Sequence, residues 1–187
     1  AGYYTAGTLL DSYADNLDCY NNSQSVREIY QNQLQETNSN IDFIWNTAYE
    51  QVYYANSIIK GAENSTGLSD ENKDRIRGEA LLIRSLLYFY LQQIFGDIPY
   101  TASLDYEYNR TISRTPAATV LEQLEADVTE AAALLEDDYR DADRIYINRK
   151  AAQLLLARIY VHSGKWSLAE QTAETILESP LYEFQAD

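Results

Sequence analysis

The sequence of 187 residues contains no methionine, one cysteine and one histidine. The single Cys19 excludes an internal disulfide and a cysteine-based metal site, and it is predicted to be an ordinary structural thiol. His162 has no second histidine with which to bind zinc. It also lies near the end of a predicted packing helix, which argues against a catalytic role. The sequence therefore predicts no metal, no cofactor and no histidine-dependent enzyme.

Positive charge is scarce, with 14 Lys and Arg residues against 29 Asp and Glu and a formal net charge of −15. This balance argues against nucleic acid as a partner, because nucleic-acid affinity comes mainly from cations that displace counterions. It also argues against docking on an anionic membrane surface. No apolar run approaches the length of a membrane span, and no basic and apolar leader opens the chain. Without an initiator methionine, residue 1 is expected to follow a removed leader or to begin a fragment.

Tyrosine is abundant, with 17 residues against four Phe and two Trp, and hydrophobic residues make up 45% of the chain. The hydrophobic content is sufficient for a packed core. A tyrosine ring joins a flat apolar face to a hydroxyl group, which suits both half-buried helix interfaces and sugar-contacting surfaces. Composition alone does not separate these two uses.

The hydrophobic periodicity predicts an all-α fold. Residues 1–43 are predicted to be an irregular N-terminal segment, with a helix between Tyr3 and Tyr20 and a helical turn at 26–30. From Ile44 the apolar residues recur at the helical period, and residues 44–180 are predicted to form stacked helices. Residues 181–187 are predicted to begin a further, C-terminal portion.

Several residues mark where these helices begin and end. Ser69 is a predicted N-cap, and Gly96 is predicted to end the helix that Ser69 begins. Thr115, followed by proline, is predicted to cap the next helix, and Asn148 the one after it. Gly164 is predicted to end one helix and to form the turn before the last helix.

The last two helices carry a repeat pattern. Small, aromatic and glycine residues follow one another in the order typical of a tetratricopeptide (TPR) hairpin: Ala157, Tyr160, Gly164, Trp166 and Ala169. The alanines allow close approach of two antiparallel helices, and Trp166, like Trp45 earlier in the chain, is predicted to pack between repeats. Such a hairpin needs neighbours to stack on. A TPR-like array predicts a binding protein, and a generic adaptor for peptides is one possible function.

The block from Gly78 to Leu91, which closes on Phe95-Gly96-Asp97-Ile98-Pro99, resembles the hallmark of the SusD/RagB family. In that family a helix of the form GEA-x-x-x-RA-x-x-Y-x-x-L leads into FGD-x-P. Three further stretches agree in order and content: 45–49 with 55–59, 114–116 with 124–135, and 151–160 with 164–166. The resemblance covers roughly residues 40–185.

The resemblance implies a surface-exposed outer-membrane lipoprotein of a Bacteroidetes bacterium, bound to a SusC-like TonB-dependent transporter. Such a protein captures an oligosaccharide without chemical change and delivers it to the transporter. The lipid anchor would lie outside this chain, since family members are considerably longer. The adaptor function remains the alternative.

A glycosidase would need two opposed carboxylates across a cleft. Glu122, Glu125, Asp127 and Glu130 instead share the predicted polar face of one helix. A further acidic group lacks the glycine and the terminal glutamate of an EF-hand loop, which favours a solvated loop over a calcium site: Asp137, Asp138, Asp141 and Asp143.

Arg84 and Arg158 lie among apolar helical residues and are predicted to be structural, with Glu79 or Asp97 as partners. Ligand contacts are predicted in the irregular N-terminal segment, where amide, carboxylate and tyrosine side chains can bond and stack on sugars. This prediction matches the family by position only. The predicted ligand-binding residues are Asp18, Tyr20, Asn21, Asn22, Tyr30, Asn32, Asn38 and Asn40.

Overall fold

The computed structural model describes residues 6–183, which contain eight helices and no strand. The helices are α1 (Ala6–Tyr13), α2 (Gln24–Tyr30), α3 (Ser39–Asn64), α4 (Asp70–Phe95), α5 (Tyr106–Thr111), α6 (Ala117–Leu134), α7 (Arg149–His162) and α8 (Trp166–Leu177). The predicted all-α fold is confirmed. Part of the predicted first helix, from Tyr3, and most of the predicted C-terminal portion lie outside the described residues.

The chain forms two compact units, residues 1–50 and 51–187, and the division falls inside α3. The sequence had placed the boundary between residues 43 and 44, where the apolar periodicity becomes strong. α3 begins at Ser39, earlier than that periodicity suggests. α1 ends at Tyr13, inside the range 3–20 that is predicted to contain a helix, and Asp15 just beyond it has a left-handed φ of 59°.

The second unit, here called the helical unit, consists of antiparallel helices stacked in chain order. α4 packs against α6, α6 against α7, and α7 against α8. Its core comes from residues of α4, α6 and α7 that are almost fully buried: Tyr88, Phe89, Leu91, Val120, Leu124, Val128 and Ile159. This is the predicted TPR-like arrangement.

Local capping explains several of the helix ends. The Ser69 Oγ accepts the backbone N–H of Asn72 at 3.3 Å, and the Asn148 Oδ1 accepts the N–H of Ala151 at 3.0 Å. Gly96 and Gly164 have φ angles of 73° and 69°, which residues with a side chain rarely adopt. These predicted ends are confirmed.

The predicted cap of α6 by Thr115 is wrong. The backbone of Thr115 is paired with that of Ile98 in an isolated antiparallel bridge, with N···O distances of 2.8 and 3.2 Å. The carboxylate of Asp97 performs the capping instead, because its Oδ1 accepts the N–H of Ala117 at 2.8 Å. Between these two points the short helix α5 was missed, since six residues are too few to show a helical period.

The predicted roles at the last hairpin are only partly correct. Ala157 and Ala169 are buried, and Tyr160 is half-buried. Trp166, in contrast, is 66% exposed. The prediction that it packs between repeats is therefore wrong for the part of the chain that the structure describes. Trp45, in the first unit, is half-buried and stacks on Tyr49 with 4.8 Å between ring centroids.

Gly78 sets the approach of α4 to α6. A Cβ atom at this position would lie 2.9 Å from the Leu135 Cγ and 3.2 Å from the Leu134 Cβ. Leu135 is buried, so it has little room to move. The glycine of the family-like block is therefore explained by helix packing.

Gly78→Ala is expected to destabilise the protein by about 1–3 kcal/mol, the usual cost of overpacking a core. Gly61→Ala is the matched control, because Gly61 also lies inside a helix but has no atom within 4 Å of the added Cβ. It should stabilise by about 0.5–1 kcal/mol. Urea denaturation followed by circular dichroism measures both, and equal effects from the two substitutions would contradict this account.

Candidate functional site

The first unit is built from α1, α2 and the segment between them. α1 packs on α2 through the buried side chains of Leu9, Val26 and Ile29. The α2 helix ends at Tyr30, and the connecting segment 14–23 has no regular structure beyond turns. This packing fixes both ends of the segment that carries half of the predicted ligand residues.

Three of the predicted ligand residues, Asp18, Tyr20 and Asn21, line one cleft of about 320 Å³ in this unit. The other lining residues are Thr8, Ser12, Leu17, Cys19 and Val26. Tyr20 is 90% exposed, so both faces of its ring are open to contact. The cleft thus joins an open aromatic ring to carboxylate, amide and hydroxyl groups, and we call it the N-terminal cleft.

Part of the polar lining is already used to hold the segment in place. The Asn21 Oδ1 accepts the N–H of Ser23 at 2.6 Å, and the Ser12 Oγ donates to the Thr8 carbonyl at 2.9 Å. The Cys19 thiol lies 3.8 Å from the Asn21 carbonyl. The Asn21 amide nitrogen and the Asp18 carboxylate remain as the groups best suited to bind ligand hydroxyls.

The other predicted ligand residues do not line this cleft. Asn22 is exposed beside it, Tyr30 is half-buried at the end of α2, and Asn32 is exposed with a left-handed φ of 54°.

Asn38 and Asn40 have structural roles, and a ligand contact at Asn38 is incompatible with its burial. The Asn38 Nδ2 donates to the Ser25 carbonyl and the Glu28 carboxylate, both at 2.8 Å, and its Oδ1 accepts the N–H of Asn40 at 3.1 Å. The Asn40 Nδ2 donates to the Ser25 Oγ at 3.0 Å. These bonds join α2 to the start of α3. Sequence reasoning could not separate an amide that is fully bonded from one that is free.

In the helical unit, a buried polar network surrounds Arg84. Its Nη1 donates to the Asn56 Oδ1 at 2.8 Å, and its Nη2 donates to the Asp127 Oδ2 at 2.7 Å. The predicted partners are wrong, because Glu79 pairs with Arg75 and Asp97 caps α6. Asp127 lies on α6, far away in sequence, which is why the periodicity of α4 gave no sign of it.

The same network holds the segment that follows α4. The Tyr88 hydroxyl donates to the Thr101 carbonyl and accepts the Thr101 N–H, each at 3.0 Å. The Asn56 Nδ2 donates to the same carbonyl at 3.2 Å, and the Tyr100 hydroxyl donates to the Asp127 carboxylate. Burial raises the pKa of Tyr88 to about 12, and burial reinforced by the Asp127 carboxylate also raises the pKa of Tyr100.

Two further acids of α6 form ion pairs of their own. Glu125 bonds to Lys165 at 2.5 Å, and Glu130 pairs with Arg77. Arg158 differs from the prediction, since it is exposed, lies over the Phe89 ring at 5.3 Å and donates to the Tyr90 hydroxyl. Over residues 6–183, no group of three or more His, Cys, Asp or Glu side chains is placed to hold a metal ion.

The stacked hairpins define a TPR-like helical-repeat fold, and comparison with known proteins gives the particular family. A SusD-like family model, described as "Starch-binding associating with outer membrane", matches residues 2–161. The chain belongs to the SusD-like family. In the part of the chain that the structure describes, no helix is both long and apolar enough to span a membrane.

Individual relatives agree with this assignment. The SusD-like protein P25 of Formosa agariphila is 30% identical over 138 residues, which are 73% of this chain and 26% of the relative. A crystal structure of a SusD superfamily protein from Bacteroides vulgatus matches with a TM-score of 0.84 and 25% identity, over 98% of this chain and 40% of that one. A SusD-like carbohydrate-binding protein from Bacteroides fragilis matches with a TM-score of 0.76 and 25% identity, over 84% and 31%. The chain therefore spans well under half the length of these relatives.

Asp127→Ala is expected to destabilise the helical unit by about 3–5 kcal/mol, because it leaves the guanidinium of Arg84 buried without a countercharge. The Arg84 side chain is only 6% exposed. The control is Glu107→Ala, which removes an exposed pair with Arg110 and should cost less than about 1 kcal/mol. Chemical denaturation gives both values. If Asp127→Ala cost no more than the control, the network would not be a stabilising element.

The raised pKa of Tyr88 predicts a loss of stability at alkaline pH. The unfolded hydroxyl ionises near pH 10 and the folded one near 12, so the unfolded state loses its proton first. The contribution of Tyr88 is complete below pH 10 and is lost as the pH rises towards 12, by at most roughly 3 kcal/mol. Urea midpoints measured from pH 9 to 11.5 should fall less steeply in Tyr88→Phe than in the wild-type protein, and equal slopes would contradict the assignment.

Proposed function

We propose that this protein binds an oligosaccharide through the N-terminal cleft and belongs to a cell-surface system for glycan capture. The observation that carries the proposal is the meeting of Asp18, Tyr20 and Asn21 in one cleft, with the Tyr20 ring 90% exposed. An exposed aromatic ring can stack on the apolar face of a pyranose, and nearby carboxylate and amide groups can bond its hydroxyls. The description of the family as starch-binding, and of the Bacteroides fragilis relative as carbohydrate-binding, supports the ligand class.

The arrangement favours binding without chemical change to the ligand. The N-terminal cleft contains one carboxylate, Asp18, whereas hydrolysis of a glycosidic bond ordinarily uses two across the bond. In the helical unit, Glu125, Asp127 and Glu130 are each committed to a basic partner. The cleft is therefore suited to recognition alone.

We further propose that the bound glycan is passed to a SusC-like TonB-dependent transporter, and that the protein is a lipoprotein on the outside of the outer membrane. The association of the family with the outer membrane supports this location. Attachment would come through a lipid anchor outside the described residues. The helical unit would then serve as scaffold and docking surface, and the N-terminal cleft as one part of a larger glycan site.

Tyr20→Ala is expected to weaken oligosaccharide binding by about ten-fold or more, because it removes the stacking surface and leaves the rest of the cleft intact. Tyr20→Phe should retain most of the affinity. Tyr106→Ala is the matched control, since Tyr106 is 71% exposed but lies on α5, in the helical unit. Isothermal titration against a panel of neutral glycans measures the three affinities.

The proposal fails at this cleft if Tyr20→Ala binds as tightly as Tyr106→Ala. Release of reducing sugar by the wild-type protein would contradict the non-catalytic part of the proposal. Binding of peptides from a control panel, with no glycan bound, would favour the adaptor function instead.

A further inference from the structure

The lining of the N-terminal cleft carries a negative charge without a compensating cation. Its one acidic side chain is Asp18, and none of its lining residues is Lys, Arg or His. Asp18 is exposed to solvent and forms no ion pair with any basic side chain of residues 6–183. A ligand that enters the cleft therefore meets a carboxylate that no protein cation neutralises.

The rest of the first unit adds to this charge. Arg27 is the one basic residue in residues 1–50, and it lies on α2, next in sequence to the lining residue Val26 but outside the lining itself. The acidic residues of the same unit outnumber it, and Asp18 is the one that lines the cleft: Asp11, Asp15, Asp18, Glu28, Glu36, Asp42 and Glu50.

Distance decides which of these charges acts on a bound ligand. A cleft of about 320 Å³ is roughly 8 Å across, which is also about the Debye length at physiological ionic strength. Charges that lie further away on the surface are largely screened by salt. Asp18 lies inside that range for every group that the cleft holds, so it dominates the electrostatic part of recognition.

Hydrogen-bond chemistry favours the same class of ligand. An ionised carboxylate only accepts hydrogen bonds, so Asp18 needs a donor from the ligand. Sugar hydroxyl and ammonium groups are donors, whereas a uronate carboxylate, like a sulfate, offers only acceptors. The Ser12 hydroxyl already donates to the Thr8 carbonyl, and the Cys19 thiol lies against the Asn21 carbonyl. An anionic group would therefore be repelled by Asp18 and would find few donors in return.

We propose that the N-terminal cleft selects neutral and amino-bearing sugars, that it excludes glycans with carboxylate or sulfate groups, and that Asp18 sets this specificity. The proposal rests on glycan binding by the cleft, because it names the class of glycan accepted there. The Tyr20 ring can stack on the apolar face of any pyranose, so stacking alone does not reject an anion. An aromatic face also attracts an ammonium group, which favours amino sugars further.

Cys19 allows the charge of the cleft to be measured independently of any glycan. It lines the cleft and is the one cysteine of the chain, so a thiol reagent reacts at a single place. The two probes are methanethiosulfonates of similar size, one with a trimethylammonium group and the other with a sulfonate group. Each forms a disulfide with the Cys19 sulfur and releases methanesulfinate. The ratio of the two rates cancels any change in the reactivity of the thiol itself.

The cationic reagent is expected to react about ten-fold faster than the anionic one at Cys19, after each rate is divided by that with 2-mercaptoethanol. Asp18→Asn should lower this ratio by about five-fold, because it removes the nearest charge. The matched control is Asp15→Asn, which removes the same charge from an exposed position outside the lining, and asparagine tolerates the left-handed φ of 59° there. It should leave the ratio almost unchanged.

A titration with matched glycans connects this charge to specificity. Maltoheptaose and laminariheptaose are each compared with a derivative oxidised to carboxylates at C6 and with one that has amino groups at C6. In isothermal titration at low salt, the oxidised derivative should bind about ten-fold more weakly than its parent, and the amino derivative at least as tightly. Asp18→Asn should reduce the difference, and so should about 0.5 M NaCl, which shortens the Debye length to roughly 4 Å.

Three results would overturn the proposal. The first is equal relative rates of the two thiol reagents at Cys19. The second is an equal change of the rate ratio in Asp18→Asn and Asp15→Asn, which would assign the effect to the charge of the whole unit. The third is an oxidised glycan that binds the wild-type protein as tightly as its parent.

Failure of glycan binding at the cleft is a separate outcome. A Tyr20→Ala variant that binds glycans like the wild-type protein would contradict the glycan function and would leave the thiol rates as they are. If neither heptaose binds, the rates at Cys19 decide whether the cleft excludes anions.

Discussion

A guanidinium group removed from water needs a countercharge and hydrogen-bond acceptors for most of its N–H groups. Buried Arg84 imposes that requirement on the helical unit. Asn56 on α3 and Asp127 on α6 meet it from two sides, so the three helices are fixed relative to one another at this point. The Asp127 carboxylate then accepts from Tyr100, and the Asn56 amide also holds the carbonyl of Thr101. One buried charge therefore determines the packing of the helices and the path of the segment that leaves α4.

The two compact units differ in the kind of surface that they offer. The N-terminal cleft is open, polar and marked by one exposed ring, which suits a hydroxyl-rich ligand. The helical unit instead has mainly apolar depressions along α7 and α8, one of them beside the exposed Trp166.

Features set by nearby residues were predictable from the sequence, and features set by distant residues were not. The caps at Ser69 and Asn148 depend on backbone within three residues, and both were predicted correctly. The partner of Arg84 and the cap of α6 come from residues far along the chain, so the local pattern favoured the wrong groups. Trp166 stands where a repeat normally packs, but the pattern does not say whether a neighbour covers it. In the N-terminal unit, residue type and position indicated a candidate segment, and only the structure showed that Asp18, Tyr20 and Asn21 line one cleft whereas Asn38 is buried and bonded.

The bridge between Ile98 and Thr115 closes the base of the segment that carries α5, and the Asp97 side chain reaches across the same point to cap α6. The bridge holds the two ends of this segment at a fixed separation, independently of the conformation of the residues between them. Chain entropy makes lengthening such a closed loop inexpensive, because each doubling of its length costs only about 0.6 kcal/mol. The helices on either side need not move to accommodate a longer or shorter insert. Residues 102–114, which carry α5 and lie beyond the bonded Tyr100 and Thr101, are thus an exchangeable module, where an engineer can graft a new recognition loop without redesigning the bundle.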